Sequence, residues 1–245
     1  FCLSRGLGDV YKRQTTSGIL MRASTKIYSG IKGSLAMSST KPGFIYNRIV
    51  KRIIDFLISL VLLPFVLLIC LVSAIAIKID DGGPVFYKAR RIGWHGKIFN
   101  MYKLRSMKVD APDLRLADGS TFNSADDDRV TRFGRFARRT SIDEVPQFLN
   151  VLKGDMSIIG PRPDSAFYLE HYEPEERVIL EVRPGITGYN QAIKRNSVGT
   201  KEKLKNDIVY VENISFLFDL KIIGLTVRQI LFARNVFNEE GPDEN

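Results

Sequence analysis

Cysteine and histidine are scarce in this chain: Cys2 and Cys70, His95 and His171 are all that its 245 residues hold. The two cysteines lie far apart in unlike surroundings and neither forms a metal-ligand spacing with a neighbour, so no disulfide framework is expected and a reducing, cytosol-facing compartment fits. A metal centre built on two widely separated histidines is equally disfavoured. The acidic run Asp126-Asp127-Asp128 lacks the alternating ligands and central glycine of a calcium loop, so it reads as an exposed loop with Arg129 as a pairing partner. No internal repeat and no second catalytic domain is visible. Residues 1–14, FCLSRGLGDVYKRQ, have no initiator methionine and no periodicity; they read as a sequence scar, with Met21 or Met37 as the native start. Thr15–Gly43 has no long apolar run followed by a small-residue cleavage site, so residues 1–43 read as a disordered basic lead-in and not as a signal peptide.

What is abundant is positive charge and, locally, apolar residues. Lys and Arg number 36 against 27 Asp and Glu, a net charge of +9, which favours an anionic partner: acidic lipid, nucleotide or nucleic acid. The nucleic-acid reading rests on charge alone, and no nucleic-acid partner is expected. A hydrophobic share of 44% allows one ordinary core plus extra segments.

From Phe56 to Ile77 the chain is almost wholly apolar, interrupted by Ser59, Pro64 and Ser73. A straight helix of that length measures roughly 33 Å, enough for a bilayer core of about 30 Å. Basic residues flank both ends: Arg48, Lys51 and Arg52 before it, Lys78, Lys88, Arg90 and Arg91 after it. The positive-inside rule would keep both ends in the cytoplasm. Pro64 removes a backbone donor near the middle and offers a place to bend, so a re-entrant helix over 44–79 reconciles charge and length. A single-pass anchor with a tolerated proline fits the same features. Asp55 is expected at the interface, paired with Lys51 or Arg52.

Asp81-Gly82-Gly83-Pro84 ends that helix, and two short strands around Trp94-His95-Gly96 predict a β-hairpin. Lys103, Arg105 and Lys108 place positive charge on or beyond its second strand. Val130–Arg139 sets Arg132, Arg135, Arg138 and Arg139 at helical intervals with Phe133 and Phe136 on another face, a basic amphipathic segment suited to anionic lipid or phosphate. Then comes the adjacent acid pair Asp143-Glu144, between Arg138-Arg139 and Pro161-Arg162-Pro163. Arginines fork onto phosphate oxygens, and two neighbouring carboxylates need cations if an anionic substrate is to approach. Ser141 and Glu144 also match a capping box, and Asp143 before Pro146 matches an N-cap; either gives a plainly structural reading of the acids, with Gly154 ending the helix. A helix start would favour an ionised Asp143. A carboxylate attacking a diphosphate meets strong repulsion, so Mg²⁺ is deduced from mechanism and not from a ligand motif.

KRIIDF with the apolar run, YKLRSMK, RFGRFARRTSIDEVPQFLNVLKGDMSIIGPRP, RPGITG and DIVYVENISFLFDLKII follow one another in order from about Lys51 to Arg234, and this series resembles the bacterial sugar transferase family, the monotopic phosphoglycosyl transferases. The resemblance implies transfer of a phospho-sugar from a UDP-sugar to undecaprenyl (polyprenyl) phosphate, with release of UMP, at the cytoplasmic face of the bacterial inner membrane. It implies that Asp143 is the nucleophile of a covalent phospho-sugar intermediate and the protein ligand of Mg²⁺, with Glu144 its catalytic neighbour. Lys103, Arg138 and Arg162 match the family's phosphate contacts; Arg105, Arg139 and Arg195 are further candidate substrate contacts. Downstream glycosyltransferases of exopolysaccharide, O-antigen or glycoprotein glycan synthesis are conceivable partners. A catalytically inactive membrane scaffold of glycan assembly is the alternative. The chain departs from the family at Leu63-Pro64, where Ser-Pro is frequent, and at Lys194, where a glycine is frequent, which puts bend satisfaction and sugar preference in question.

The expected fold is therefore α/β and mainly helical: one compact cytosolic domain over 80–236 with a β-hairpin and interfacial amphipathic helices, behind an N-terminal re-entrant membrane helix. Asp164–Arg183 is expected to be helical with a break at Pro174, Ile214–Phe232 to lie in the interface or the core, and residues 237–245 to form a polar tail.

Overall fold

The structure, a computed structural model, describes residues 43–112, 114, 127–194 and 198–232, the side chains of 44 and 230–232 excepted. The sequence scar, nearly all of the lead-in, Arg195 and the polar tail lie outside the described residues. The fold is mainly helical, with two separate two-stranded sheets, β1–β2 antiparallel and β3–β4 parallel.

A short helical entry, Gly43–Ile45 and a π-helical Tyr46–Val50, leads into α1, Lys51–Asp80. Among the described residues, Tyr46–Asp80 is the one stretch long and apolar enough to cross a membrane. Pro64 does not end α1, which continues on both sides of it for 30 residues, about 45 Å. One stripe of α1 is buried: Lys51, Asp55, Ser59, Val66, Cys70, Ser73 and Ile77 recur at three- and four-residue spacings, the period of one helical face. The opposite side leaves Phe56, Val61, Phe65, Leu68, Leu71 and Ile79 exposed.

That buried stripe corrects the placement of Asp55. It is an interior residue that accepts hydrogen bonds from Ser157 Oγ at 2.7 Å and Ile158 N at 3.1 Å, while Lys51 pairs with Asp219 at 2.6 Å. The reason is packing: the first turns of α1 lie against the domain, so their charges find partners there. At the far end Asp80 accepts from Phe133 N at 2.8 Å. Both ends of the apolar helix are thus bonded to residues that follow it in the chain, between Phe133 and Ile158.

The hairpin forms as expected, β1 (Phe86–Ile92) against β2 (Ile98–Leu104) in register Ile92↔Ile98 to Phe86↔Leu104. His95, at φ 55, and Gly96, at φ 73, make the turn, and Trp94 Nε1 bonds Glu181 O at 3.0 Å. Ala89 and Met101 of the hairpin pack with Val151 and Met156.

The basic segment is α2, Arg132–Thr140, capped by Thr131 Oγ1 accepting from Gly134 N. A 3₁₀ turn, Ile142–Glu144, follows, then α3, Gln147–Lys153, which Gly154 terminates in the left-handed region as expected. Arg52 donates to Val151 O and Leu152 O at 2.6 and 3.0 Å and so satisfies the last carbonyls of α3. β3 (Ser157–Ile159) pairs in parallel with β4 (Gly185–Thr187). The strands meet so closely that a Cβ on Gly185 would stand 2.1 Å from Gly160 N, which explains the glycine of RPGITG.

Between these strands Asp164–Arg183 is not one broken α-helix. It forms two 3₁₀ stretches, Ala166–Glu170 and Glu176–Glu181, on either side of Pro174. Pro174 has no N–H to give a helical ladder and divides the stretch, and the first part closes tighter bonds such as His171 N to Tyr168 O at 3.0 Å. α4 (Tyr189–Ile193), α5 (Thr200–Glu212) and α6 (Phe216–Phe232) complete the chain. α6 is in part a core helix: Ile222 is buried among Ile159, Tyr210 and Val211, whereas Leu217, Leu220 and Val227 are exposed.

Candidate active site

The acid pair is positioned by what flanks it. Ser141 adopts φ 59, ψ 18 and ends α2, so the chain reverses into the turn that holds Asp143 and Glu144. Ile142 and Val145 pack with Val66, Cys70 and Leu104, which ties the turn to the middle of α1. The capping-box alternative is not realised, because Ser141 makes no side-chain cap and Glu144 is engaged elsewhere. Nor does Asp143 cap α3, whose first residue is Gln147, four positions on.

Glu144 is the charge anchor of the site. Lys103 Nζ donates to its Oε1 at 2.9 Å, and the two terminal nitrogens of Arg162 fork onto both oxygens, Nη1 to Oε2 at 3.1 Å. Burial alone would favour the neutral acid, but Arg162 and Lys103 outweigh it and hold Glu144 well below the usual carboxylate range. The fork is bidentate and charge-assisted, and it fixes the Pro161-Arg162-Pro163 turn against the dyad.

Asp143 stands in the opposite condition. It is buried, 7% exposed, and among the described residues no side chain donates a hydrogen bond to its carboxylate. Burial raises its proton affinity above the ordinary value; Lys103 opposes this, and Glu144 adds to it. The expected helix start does not hold Asp143, since α3 begins at Gln147. The anionic form of Asp143 depends on Lys103, Arg162 and Arg138 instead.

Of the other candidate cations, Arg138 sits close by. Arg138 is largely buried, donates from Nε to Ser106 Oγ at 3.0 Å and feels the Asp143 charge. Arg139 is exposed at the end of α2, beyond the pair. Arg105, by contrast, turns away from the site. It forks onto the Asp81 carboxylate and donates to Pro84 O at 2.6 Å and Met107 O at 2.7 Å, with a side chain 8% exposed. Four of its five N–H donors are engaged in this way, which locks the exit of α1 to the hairpin. Asp81, read in the sequence only as a helix-ending residue, is its partner. Of the acidic run, Asp127 is buried and pairs with Arg129 at 2.6 Å; the pairing matches expectation and the exposure does not.

Sequence reasoning also passed over a second layer behind Arg162. Asp164, Tyr172, Lys203 and Asp207 converge there, and the only sequence signal was the four-residue spacing of Lys203 and Asp207 on a helix. Gln147, wholly buried one turn beyond Asp143, has neither amide atom bonded among the described residues.

A divalent cation would find one protein ligand here. Asp143 offers a carboxylate with unused lone pairs, whereas Glu144 is saturated by cations, and no group of three or more His, Cys, Asp or Glu side chains among the described residues could hold a metal ion by itself. That donor set fits Mg²⁺, which commonly takes one carboxylate and completes its shell with substrate phosphates and water.

The chain belongs to the bacterial sugar transferase family, whose model matches residues 46–233. It is 42% identical over 188 residues to the uncharacterized sugar transferase EpsL of Bacillus subtilis, covering 77% of this chain and 90% of that protein. It is 37% identical over 198 residues to the UDP-glucose:undecaprenyl-phosphate glucose-1-phosphate transferase of Caulobacter vibrioides, covering 76% and 72%. The undecaprenyl-phosphate glucose phosphotransferase of Komagataeibacter xylinus is 39% identical over 215 residues, but these span 83% of this chain and only 40% of that protein.

Proposed function

We propose that this protein transfers a sugar-1-phosphate from a UDP-sugar to undecaprenyl phosphate and releases UMP, on the cytoplasmic face of the bacterial inner membrane. The observation that carries this reading is the division of labour within the dyad: Glu144 is neutralised by Lys103 and Arg162, and Asp143 beside it is a carboxylate with no bonded donor among the described residues. The Asp143 oxygen attacks the phosphorus that bears the sugar, a P–O bond to UMP breaks, and an aspartyl phospho-sugar forms. An oxygen of undecaprenyl phosphate then attacks the same phosphorus, which passes the phospho-sugar to the lipid and regenerates the Asp143 carboxylate. Lys103, Arg162 and Arg138 hold positive charge where the diphosphate must sit, close to the acids. Mg²⁺ held by Asp143 and the diphosphate would neutralise phosphate charge as UMP departs. Purified protein given Mg²⁺, undecaprenyl phosphate and a panel of UDP-sugars is expected to release UMP with at least one of them. Tight UDP-sugar binding without release from any would favour the inactive scaffold.

The membrane topology belongs to the same proposal. A segment bonded to one domain at both ends, through Asp55 and Asp80, cannot easily deliver those ends to opposite sides of a bilayer. The exposed apolar side of α1 and the exposed leucines of α6 then lie in one leaflet. Single cysteines at Ile49 and Ile79, both exposed positions, are expected to resist a membrane-impermeant thiol reagent applied outside intact cells. The background for this experiment replaces Cys2 and Cys70. Labelling of one position and not the other would restore a single-pass helix.

A further inference from the structure

The Pro161-Arg162-Pro163 turn is held from behind by charges that the dyad chemistry does not use. Asp164, the next residue, accepts a hydrogen bond from Tyr172 Oη at 2.7 Å on one oxygen and from Lys203 Nζ on the other, and its carbonyl accepts from Ile92 N at 3.0 Å. Lys203 lies on α5, and one turn further along the same helix is Asp207. Asp207 is 0% exposed, and among the described residues neither of its carboxylate oxygens has a hydrogen-bond partner. Its nearest cation is the same Lys203, 3.7 Å away, within ion-pair reach but beyond a hydrogen bond. One ammonium is therefore set between two carboxylates, bonded to the one that fixes the turn and poised beside the one that does not.

Burial with no bonded donor disfavours the ionised carboxylate, so on the acid side of its titration Asp207 is uncharged and Lys203 is committed to Asp164. We infer that Asp207, acting through Lys203 and Asp164, is a positioning residue for Arg162 and makes nucleotide binding weaken when Asp207 ionises. The inference rests on the phosphotransferase reading of the Arg162 site. When Asp207 carries charge, Lys203 is divided between two anions, the hold on Asp164 slackens, and one further negative charge stands behind the guanidinium that must receive a diphosphate. A small half-open cleft, with a cavity volume of about 20 Å³, lies against the turn, lined by Gly93, Arg162, Asp164, Tyr172 and Leu180 among others.

The groups that face this pair are few. Asp164, Tyr172 and Arg162 surround Lys203 and Asp207, and Glu176 contributes from the 3₁₀ stretch packed against α5. Burial and the Asp164 charge push Asp207 up to about 7, Lys203 opposing, so ionisation falls in the physiological range. Burial disfavours the charged Lys203, but Asp164 and Asp207 outweigh it, and Tyr172 is pushed well above the ordinary phenol value; neither changes charge in that window.

The test is the affinity of the full-length protein in detergent for UDP, measured by titration calorimetry between pH 6 and pH 8.5, for the wild type and Asp207→Asn. UDP has its own phosphate ionisation, which cancels in the ratio of the two dissociation constants. That ratio, wild type over variant, is expected to rise by about threefold or more across the range, the effect of one nearby charge partly screened. If Asp207→Asn does not fold, Asp207→Leu removes the same ionisation without a polar atom and is held to the same result. Parallel pH profiles with binding intact would overturn the inference alone. Absence of UDP binding by the wild type at every pH would overturn the phosphotransferase reading, and the inference with it.

Discussion

Asp143→Asn is expected to abolish UMP release while making the protein more stable at neutral pH. Asparagine preserves size and polarity but cannot form an acyl phosphate, so turnover should fall by about 10³-fold or more. The stability gain has a separate cause. Burial raises the Asp143 pKa, with Lys103 opposing and Glu144 adding, so the folded protein disfavours the ionised form relative to the unfolded chain. A carboxyl raised on folding contributes most below its unfolded value of about 3.9 and loses that contribution as pH rises through the raised value. Asparagine has no charge to lose, so its melting temperature should exceed the wild type's near pH 7, and the difference should close below about pH 4. Differential scanning fluorimetry across pH, beside a UMP-release assay, separates the two claims. Undiminished turnover would remove Asp143 as nucleophile; a difference in melting temperature that ignores pH would remove the electrostatic account. The nucleophile thus sits at a point where activity and stability pull in opposite directions.

Glu144→Ala should do the reverse to stability and the same to activity. The substitution strands Lys103 and Arg162, whose side chains are 18% and 33% exposed, without the carboxylate that neutralises both. Breaking an ion pair this enclosed costs about 3 kcal/mol near pH 7. The two released cations repel each other, and the Pro161-Arg162-Pro163 turn loses its forked contact, so UMP release should be lost as well. The pH dependence follows from the direction of the shift. Glu144 is depressed on folding, so its contribution is complete above its unfolded value of about 4.3 and drains away as pH falls toward the depressed one. Denaturant unfolding at pH 7 and pH 3.5 should show the wild-type advantage shrinking at the lower pH. An advantage below about 1 kcal/mol at pH 7 would mean that the network is a surface-like pair with little to lose.

The parts of this molecule that were legible in the sequence are those encoded by neighbours along the chain. The apolar run of α1, the hairpin strands with their Trp94-His95-Gly96 turn, the basic α2 and the Gly154 stop all follow from period, propensity and capping within a few residues. The less legible parts depend on partners far away in sequence. Ser141 matched a capping box and is instead a left-handed chain reversal, because Glu144 finds better partners in Lys103 and Arg162 than in a backbone amide. Arg105 carried the same charge as Lys103 two residues earlier on the hairpin strand, yet Asp81 claims it. Arg105 lies one residue beyond the end of β2, so the strand's alternation no longer fixes its face, and charge counts cannot say which cation meets which acid.

By itself the sequence determined an arginine-flanked acid pair and a long apolar helix, since each is written in contiguous residues. Only the tertiary structure decided that Glu144 takes the cations while Asp143 has no bonded donor among the described residues, that both ends of α1 are fastened to segments that follow it, and that Asp207 lies buried behind Arg162. Local order follows from the backbone period and the side-chain type. The ionisation of a carboxyl follows from which charges and how little water surround it, and these are brought together only when distant segments pack.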